Sequence, residues 1–186
     1  MLTSISPLGE RARGHRWWLT TTSYVVGSTC GGLLLGLLLG TVGAGVDVPA
    51  WLGGVVLLVC AGLEIGGQLP HGRRQVDRTW LDRYRGGVYG FGYGAQLGVG
   101  VVTIVTSAST YAVWGLALTA GSAPSGGLLG ATFGLVRALP LLAMVRAGDP
   151  TAVRRAARRL SLVGPSLRPC TAVALLLAGA GLLAAS

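Results

Sequence analysis

The sequence has few charged residues, and it lacks lysine and asparagine entirely. Only 11% of its 186 residues are Asp, Glu, Lys or Arg, whereas 51% are hydrophobic and the mean hydropathy is +0.63. A soluble domain of this length needs more polar surface, so the composition excludes a soluble globule. Because arginine supplies every permanent positive charge, the position of a charge is informative here and the choice of Arg over Lys is not.

Cysteine and histidine are also scarce, with three and two residues. Their spacing matches no metal-binding pattern, so we expect neither a metal nor a cofactor, and no set of residues predicts a catalytic site. Cys30 and Cys60 fall at similar predicted depths in the first two apolar segments and are the redox candidates. The alternative for both is an inert small side chain in apolar surroundings.

What the sequence does contain is a strict alternation of apolar and cationic segments. Fourteen of the fifteen arginines lie in residues 1–18, 67–87 and 145–169. Cationic loops resist translocation, so the positive-inside rule predicts that these three segments are cytoplasmic. The apolar stretches between them predict an all-α polytopic transmembrane bundle forming a single domain over residues 1–186. Its five spans are expected at about 20–42, 49–69, 89–118, 126–145 and 169–185.

This topology predicts a multi-pass protein of the plasma (inner) membrane with its N-terminus inside and its C-terminus outside. The first apolar run is longer than the core of a signal peptide and is expected to be a retained helix. The formal charge of +9 flanks the spans and does not form one aromatic-interleaved face. Anionic lipid headgroups are therefore the expected counter-surface of the arginines, and nucleic acid is not an expected partner.

Glycines at a spacing of four residues predict close helix packing in three of the spans. A helix face without side chains lets two backbones approach, which favours helix association in lipid. The same faces allow a homodimer or contact with another membrane protein. The three predicted packing ridges are Gly32, Gly36 and Gly40; Gly90, Gly94 and Gly98; and Gly126, Gly130 and Gly134.

The second and fourth spans resemble each other at an offset of 73 residues, which suggests a two-span parallel repeat. The offset places Glu64 and Arg137 at equivalent depths. An ionisable residue inside hydrocarbon costs about 2.5–3.5 kcal/mol on insertion scales, so opposite charges at one depth predict an ion pair or a solute site. Thr103, Thr106 and Ser107 give the third span a polar middle and are further solute-site candidates. The alternative is that Glu64 is solvated near the inner end of its span and that Arg137 extends inward alone.

Two glycine-rich stretches resemble a known family. GFGYGAQLGVG at residues 90–100 and TFGLVRALP at residues 132–140 are similar to segments of the transmembrane domain of cytochrome c biogenesis and thiol:disulfide interchange carriers, an exporter-related fold. That resemblance implies two three-helix inverted repeats and a proline beside a cysteine in the first helix of each. The chain has five predicted spans and no proline beside Cys30, so no functional residue is carried over.

Three functions fit these patterns. The first is a small-solute carrier or permease-like protein with an intramembrane site at Glu64 and Arg137. The second is a membrane thiol-disulfide electron carrier that uses Cys30 and Cys60. The third is a non-catalytic membrane helper or assembly subunit whose glycine faces pack against another protein. Substrate, coupling ion and oligomeric state are not encoded in any motif of the sequence.

Overall fold

The computed structural model describes residues 10, 14–49, 51–67, 84–100, 107–142 and 150–185. Within these ranges the chain is helical and contains no strand. The six helices, numbered here in chain order, are α1 (Trp17–Val46), α2 (Trp51–Gly66), α3 (Gly86–Val99), α4 (Ser109–Thr119), α5 (Ala123–Leu142) and α6 (Pro150–Ala185). The all-helical class predicted from the sequence is confirmed for the described residues.

Three helical segments are long and apolar enough to cross a bilayer by length and composition. They are α1 with 30 residues, α5 with 20 residues and the Ser166–Ala185 part of α6. Helix α2 is apolar but has only 16 residues, which corresponds to about 24 Å at ~1.5 Å per residue. Membrane spans are thus plausible along the chain, while the five-span count and its orientation stay predictions.

The predicted third span, 89–118, is not one continuous helix. Helix α3 ends at Val99, where Gly100 adopts a left-handed conformation with φ +73° and donates its N–H to the carbonyl of Gln96. A second helix, α4, begins only at Ser109. Glycine reaches positive φ without the penalty that a Cβ introduces, so Gly100 is a natural helix stop. Thr103 and Thr106 lie outside the described residues.

Helix α6 is longer than the predicted fifth span. It runs without a break through 36 residues, about 54 Å at ~1.5 Å per residue, and includes most of the predicted loop 145–169. The apolar segment Ser166–Ala185 forms its second half. The first half contains the exposed arginines Arg155 and Arg158. The basic segment therefore continues the last apolar helix instead of forming a separate helix.

Contacts at the helix termini show which ends of the bundle coincide. A Cβ built at Gly43, near the end of α1, would overlap the carbonyl oxygen of Leu118 in α4. A Cβ built at Gly53, near the start of α2, would lie 2.7 Å from Thr119 Oγ1 and 3.3 Å from Leu182 Cδ2 near the end of α6. We call this the Gly43 end of the bundle. Helices α1, α4 and α6 finish there, and α2 begins there.

The opposite end brings together the starts of α1 and α3. A Cβ built at Gly86, the first residue of α3, would lie 2.5 Å from Thr20 Oγ1 in the first turns of α1. We call this the Thr20 end. Helix α3 starts at the Thr20 end and α4 finishes at the Gly43 end, so the two together traverse the bundle once, interrupted in the middle.

The glycine ridges hold α1 between α3 and α5. Ideal Cβ atoms at Gly32 and Gly36 would overlap the carbonyl oxygens of Gly130 and Gly126, and one at Gly98 would overlap that of Ser28. The backbones are therefore in direct contact, as the close approach of glycine faces allows. Helix α1 has its most extensive packing with α5 and α3.

Helices α2 and α6 form a second layer. A Cβ built at Gly54 would lie 3.0 Å from the carbonyl oxygen of Gly179. Leu57 and Cys60 of α2 are buried with Ala108 and Ala112 of the α4 region in a small hydrophobic cluster. Helix α4 packs on both layers, and this places its N-terminus in the interior of the bundle.

Candidate polar site at the break between α3 and α4

The N-terminus of α4 lies against Glu64, which α2 places in the interior with 4% of its surface exposed. Glu64 Oε2 accepts hydrogen bonds from the backbone N–H of Ala108 at 2.6 Å and from Ser107 Oγ at 3.2 Å. Ala108 precedes the first residue of α4 and has no side chain that could cap the helix. A carboxylate from a neighbouring helix thus satisfies an N–H group that the start of a helix leaves unpaired.

Ser107 supplies the rest of the cap. Its Oγ accepts a hydrogen bond from the N–H of Ser109 at 3.2 Å and lies 3.0 Å from Ser109 Oγ. Its carbonyl accepts from the N–H of Thr110 at 3.4 Å. Glu64 and Ser107 therefore accept hydrogen bonds from two N–H groups at the start of α4, as irregular backbone inside a membrane bundle requires.

Arg137 of α5 approaches the same break from the other side. Its Nη1 donates to Thr110 Oγ1 at 3.1 Å, and its guanidinium lies 5.4 Å from the centre of the Phe133 ring. A Cβ built at Gly100 would lie 3.4 Å from Arg137 Nη1, so the cation sits beside the C-terminus of α3.

The two charges complement the helix ends that they meet. The N-terminus of a helix carries partial positive charge and the C-terminus partial negative charge. Glu64 lies at the N-terminus of α4, and Arg137 lies beside Gly100 at the C-terminus of α3, although its hydrogen bond goes to Thr110 in the first turn of α4. Their equivalent positions in the sequence predict an ion pair or a solute site. In the structure their hydrogen bonds go to two sides of the Ser107–Thr110 segment and not to each other.

The two redox candidates, Cys30 and Cys60, are free, and so is Cys170. Cys60 is buried in the cluster between α2 and α4, Cys30 is half-buried on α1, and Cys170 is exposed on α6. Helices α1 and α2 are not among the pairs that pack extensively within the described ranges. The structure therefore forms no disulfide between Cys30 and Cys60, and each thiol has different surroundings. The described residues also contain no group of three His, Cys, Asp or Glu side chains that could hold a metal.

A second buried acid, Glu10, was not identified from the sequence. It has no exposed surface, and it accepts hydrogen bonds from Thr20 Oγ1 at 2.7 Å and from the hydroxyl of Tyr89. His15 Nδ1 lies 3.8 Å from its carboxylate. The only available signal was that Glu10 is the single acidic residue among the first 46. That signal is weak, because an acid among arginines is ordinarily solvated.

An apolar cavity lies between α1, α3, α4 and α5. It is lined by Gly32, Leu35, Gly36, Leu39, Gly98, Val113, Trp114, Ala117, Gly130 and Phe133. Its walls are the glycine faces that bring α1 and α5 together, with one indole at its edge. This chemistry suits close packing better than the recognition of a polar solute.

The chain is similar in sequence to two known proteins that carry the same name. The chain is 33% identical over 151 residues to "Methylamine utilization protein MauF" of Methylophilus methylotrophus, covering 75% of this chain and 53% of that protein. It is 32% identical over 151 residues to the protein of the same name from Paracoccus versutus, covering 75% and 55%. Both relatives are methylamine utilization proteins. The chain spans about half the length of each.

No family model matches the chain, and no solved structure matches it. The cytochrome c biogenesis resemblance drawn from two glycine-rich stretches finds no support in these comparisons. The relationship to MauF covers most of the chain instead, whereas that resemblance rested on short segments of a kind common to many membrane helices.

Proposed function

We propose that this chain is a helical membrane protein that acts as a non-catalytic helper in methylamine utilization. The observation that carries the proposal is the similarity of 75% of the chain to the two MauF proteins. It favours the helper alternative of the sequence analysis over the carrier, because neither relative is named as a transporter. The thiol carrier has no support from the cysteine geometry, since each thiol is free in its own environment.

The packing supports the same proposal. The charged side chains that suggested a solute site, Glu64 and Arg137, are both hydrogen-bonded to the N-terminal part of α4, at Ala108 and at Thr110. The cavity described above is apolar, and neither Glu64 nor Arg137 lines it. A helper needs a stable membrane scaffold, and these contacts build one. A carrier needs polar groups that face a pathway.

Complementation tests this function. In Methylophilus methylotrophus lacking its MauF gene, a chimaera carrying this chain in place of the matching region of MauF should restore growth on methylamine. Growth on a carbon source other than methylamine is the control for general fitness. The chimaera is the correct vehicle because this chain spans only about half of MauF. A chimaera that reaches the membrane in normal amount but gives no growth would contradict the proposal.

A transport assay separates the helper from the carrier. Vesicles containing the purified chain should take up radiolabelled methylamine no faster than empty vesicles. If uptake exceeds that of empty vesicles and is abolished by Glu64→Gln, the carrier interpretation is correct. The same purification from native membranes should yield a second membrane protein together with the chain, as expected for a helper.

The exposed arginines of α6 are proposed to contact anionic headgroups. Arg155, Arg158 and Arg168 are exposed, and no acidic residue occurs between Pro150 and Ala185. Clustered arginines next to an apolar helix are attracted to anionic lipid by about 1 kcal/mol each near the surface. The purified chain should therefore unfold at a higher temperature in vesicles with phosphatidylglycerol than in pure phosphatidylcholine. Replacing Arg155 and Arg158 with Ala should reduce this difference.

A further inference from the structure

Helix α6 carries exposed arginines well outside the part that can cross a bilayer. That part, Ser166–Ala185, has 20 residues and is apolar, and Pro150–Val163, which we call the arm, precedes it in the same helix. If the helix axis continued along the membrane normal, Arg155 would lie about 16 Å outside the apolar part at ~1.5 Å per residue. Charges at that distance from a surface are largely screened, because the Debye length is about 8 Å at physiological salt. An upright arm therefore keeps Arg155 away from the headgroups.

The arm has an apolar side and a cationic side. Residues three or four positions apart share one side of a helix. The apolar residues with this spacing in the sequence are Val153, Ala156, Leu160 and Val163. The same geometry places Arg155 and Arg158, which are both exposed, on the other side, and the sequence of the arm contains no acidic residue. This pattern is typical of a helix that lies in the plane of an anionic membrane surface.

Large apolar side chains are exposed where the arm meets the apolar part of α6. Leu162 is 66% exposed, Val163 is 48% exposed and Leu167 is 52% exposed. Water is an unfavourable environment for so much apolar surface in one turn, whereas the boundary between headgroups and acyl chains accommodates it. The membrane surface is therefore expected at this turn, at one end of the arm.

The residues of this turn favour a bend. Pro165 and Pro169 have no N–H group, so each leaves the carbonyl four residues earlier without its helical donor. Gly164 precedes the first proline and adopts non-helical conformations easily. Ser166 Oγ donates to the carbonyl of Val163 at 2.8 Å, a side-chain contact of a kind that often bends helices. Water at the membrane surface supplies donors to the carbonyls that a bend exposes.

We propose that the arm lies flat on an anionic leaflet, with its apolar side toward the acyl chains, and that α6 bends at Gly164 and Pro165 to allow this. The inference rests on the headgroup contact proposed above and adds the arrangement that brings the arginines to the lipid. Two arginines near an anionic surface favour the flat arm by roughly 30-fold relative to a neutral surface, which is about 2 kcal/mol at ~1.4 kcal/mol per tenfold.

Photocrosslinking of the full chain in lipid vesicles tests this arrangement. The photoreactive residue p-benzoylphenylalanine, which inserts into nearby C–H bonds when irradiated, replaces Val153 in one variant and Thr151 in a matched control. Both positions lie at the far end of the arm, on its apolar and cationic sides respectively. In vesicles with phosphatidylglycerol, mass spectrometry should find several-fold more lipid adduct at position 153 than at 151. The yield at 153 should also be several-fold higher than in pure phosphatidylcholine.

A second variant tests the bend. Pro165→Ala restores a backbone N–H and removes the steric clash of the proline ring, so it should straighten the helix. With this change the yield at position 153 in phosphatidylglycerol should fall toward the yield in phosphatidylcholine, while circular dichroism shows no loss of helix. An unchanged yield in Pro165→Ala overturns the assignment of the bend.

The remaining outcomes separate the flat arm from the headgroup contact on which it rests. Equal yields at position 153 in the two lipids, equal yields at 153 and 151, or an adduct to a second copy of the chain in place of lipid each overturn the flat arm. If phosphatidylglycerol raises the unfolding temperature but position 153 forms no lipid adduct, the headgroup contact is correct and the flat arm is wrong. If neither effect occurs, both proposals are wrong.

Discussion

Replacing Gly130 with alanine should destabilise the bundle, whereas the same change at Gly62 should not. Gly130 lies on α5 where the helix contacts α1. A Cβ there would overlap the carbonyl oxygen of Gly32 and would lie 2.8 Å from its carbonyl carbon and 3.1 Å from Gly36 Cα. All three atoms belong to backbone, so no side chain can rotate away. Gly62 on α2 has no atom within 4 Å of the equivalent position.

The expected magnitude follows from these distances. Carbon atoms in contact prefer a separation of about 3.5–4.0 Å, so α1 and α5 must separate by roughly 1 Å at this point. Overpacking of this kind costs about 1–3 kcal/mol. Alanine also improves helix propensity by about 0.5–1 kcal/mol relative to glycine, but this gain applies to both sites. The difference between the two variants therefore isolates the clash and should be about 1–3 kcal/mol.

The assay is reversible unfolding in mixed micelles with increasing denaturing detergent, followed by tryptophan fluorescence. Gly130→Ala should unfold at lower detergent content than the wild type, and Gly62→Ala at equal or higher content. Circular dichroism before denaturation should show that both variants remain helical. Equal unfolding free energies for the two variants would refute the conclusion that direct backbone contact between the glycine ridges of α1 and α5 stabilises the fold.

Three further changes probe individual contacts by the same unfolding assay. Ser28→Ala removes the hydrogen bond from Ser28 Oγ to the Gly134 carbonyl, which is 2.7 Å long and buried, and should cost about 0.5–1.5 kcal/mol; an unchanged unfolding free energy would contradict its role. Gly100→Ala places a Cβ at φ +73°, so a loss of about 1–2 kcal/mol is expected, and a stabilised variant would argue against the left-handed helix stop. Glu10→Ala leaves the buried hydroxyl of Thr20 without its acceptor, so a loss of about 1–3 kcal/mol is expected together with faster proteolysis before Trp17; slow, wild-type proteolysis would show that Glu10 does not anchor this end.

Helix class and the glycine contacts follow from the sequence because both depend on local periodicity. Apolar runs of sufficient length predict helices in a membrane, and glycines four apart fall on one face whatever the partner helix is. The sequence does not show which helices pack against each other. It could not show that Gly32, Gly36 and Gly40 of α1 meet α5 while Gly27 and Gly31 meet α3, because pairing depends on how the chain folds back over about 60 to 100 residues.

The interruption between α3 and α4 was not predicted, although its elements are visible in the sequence. Gly100 is one of 32 glycines, most of which lie within helices, so glycine content alone does not mark a helix end in this chain. The hydrophobicity pattern predicts one long span with these polar residues in its middle. The structure shows that Gly100 has a positive φ and that a new helix, α4, begins at Ser109.

The positions of Glu64 and Arg137 are better explained by the break than by mutual attraction. An unbroken third span would leave each charge without a compensating group and would favour a direct pair. Once the helix is interrupted, two helix ends with opposite partial charge lie in the interior, and each requires a partner because the surrounding hydrocarbon offers none. Glu64 accepts a hydrogen bond at the start of α4, and Arg137 lies beside Gly100 at the end of α3 while it donates to Thr110. Both side chains therefore contact the helices on the two sides of the interruption.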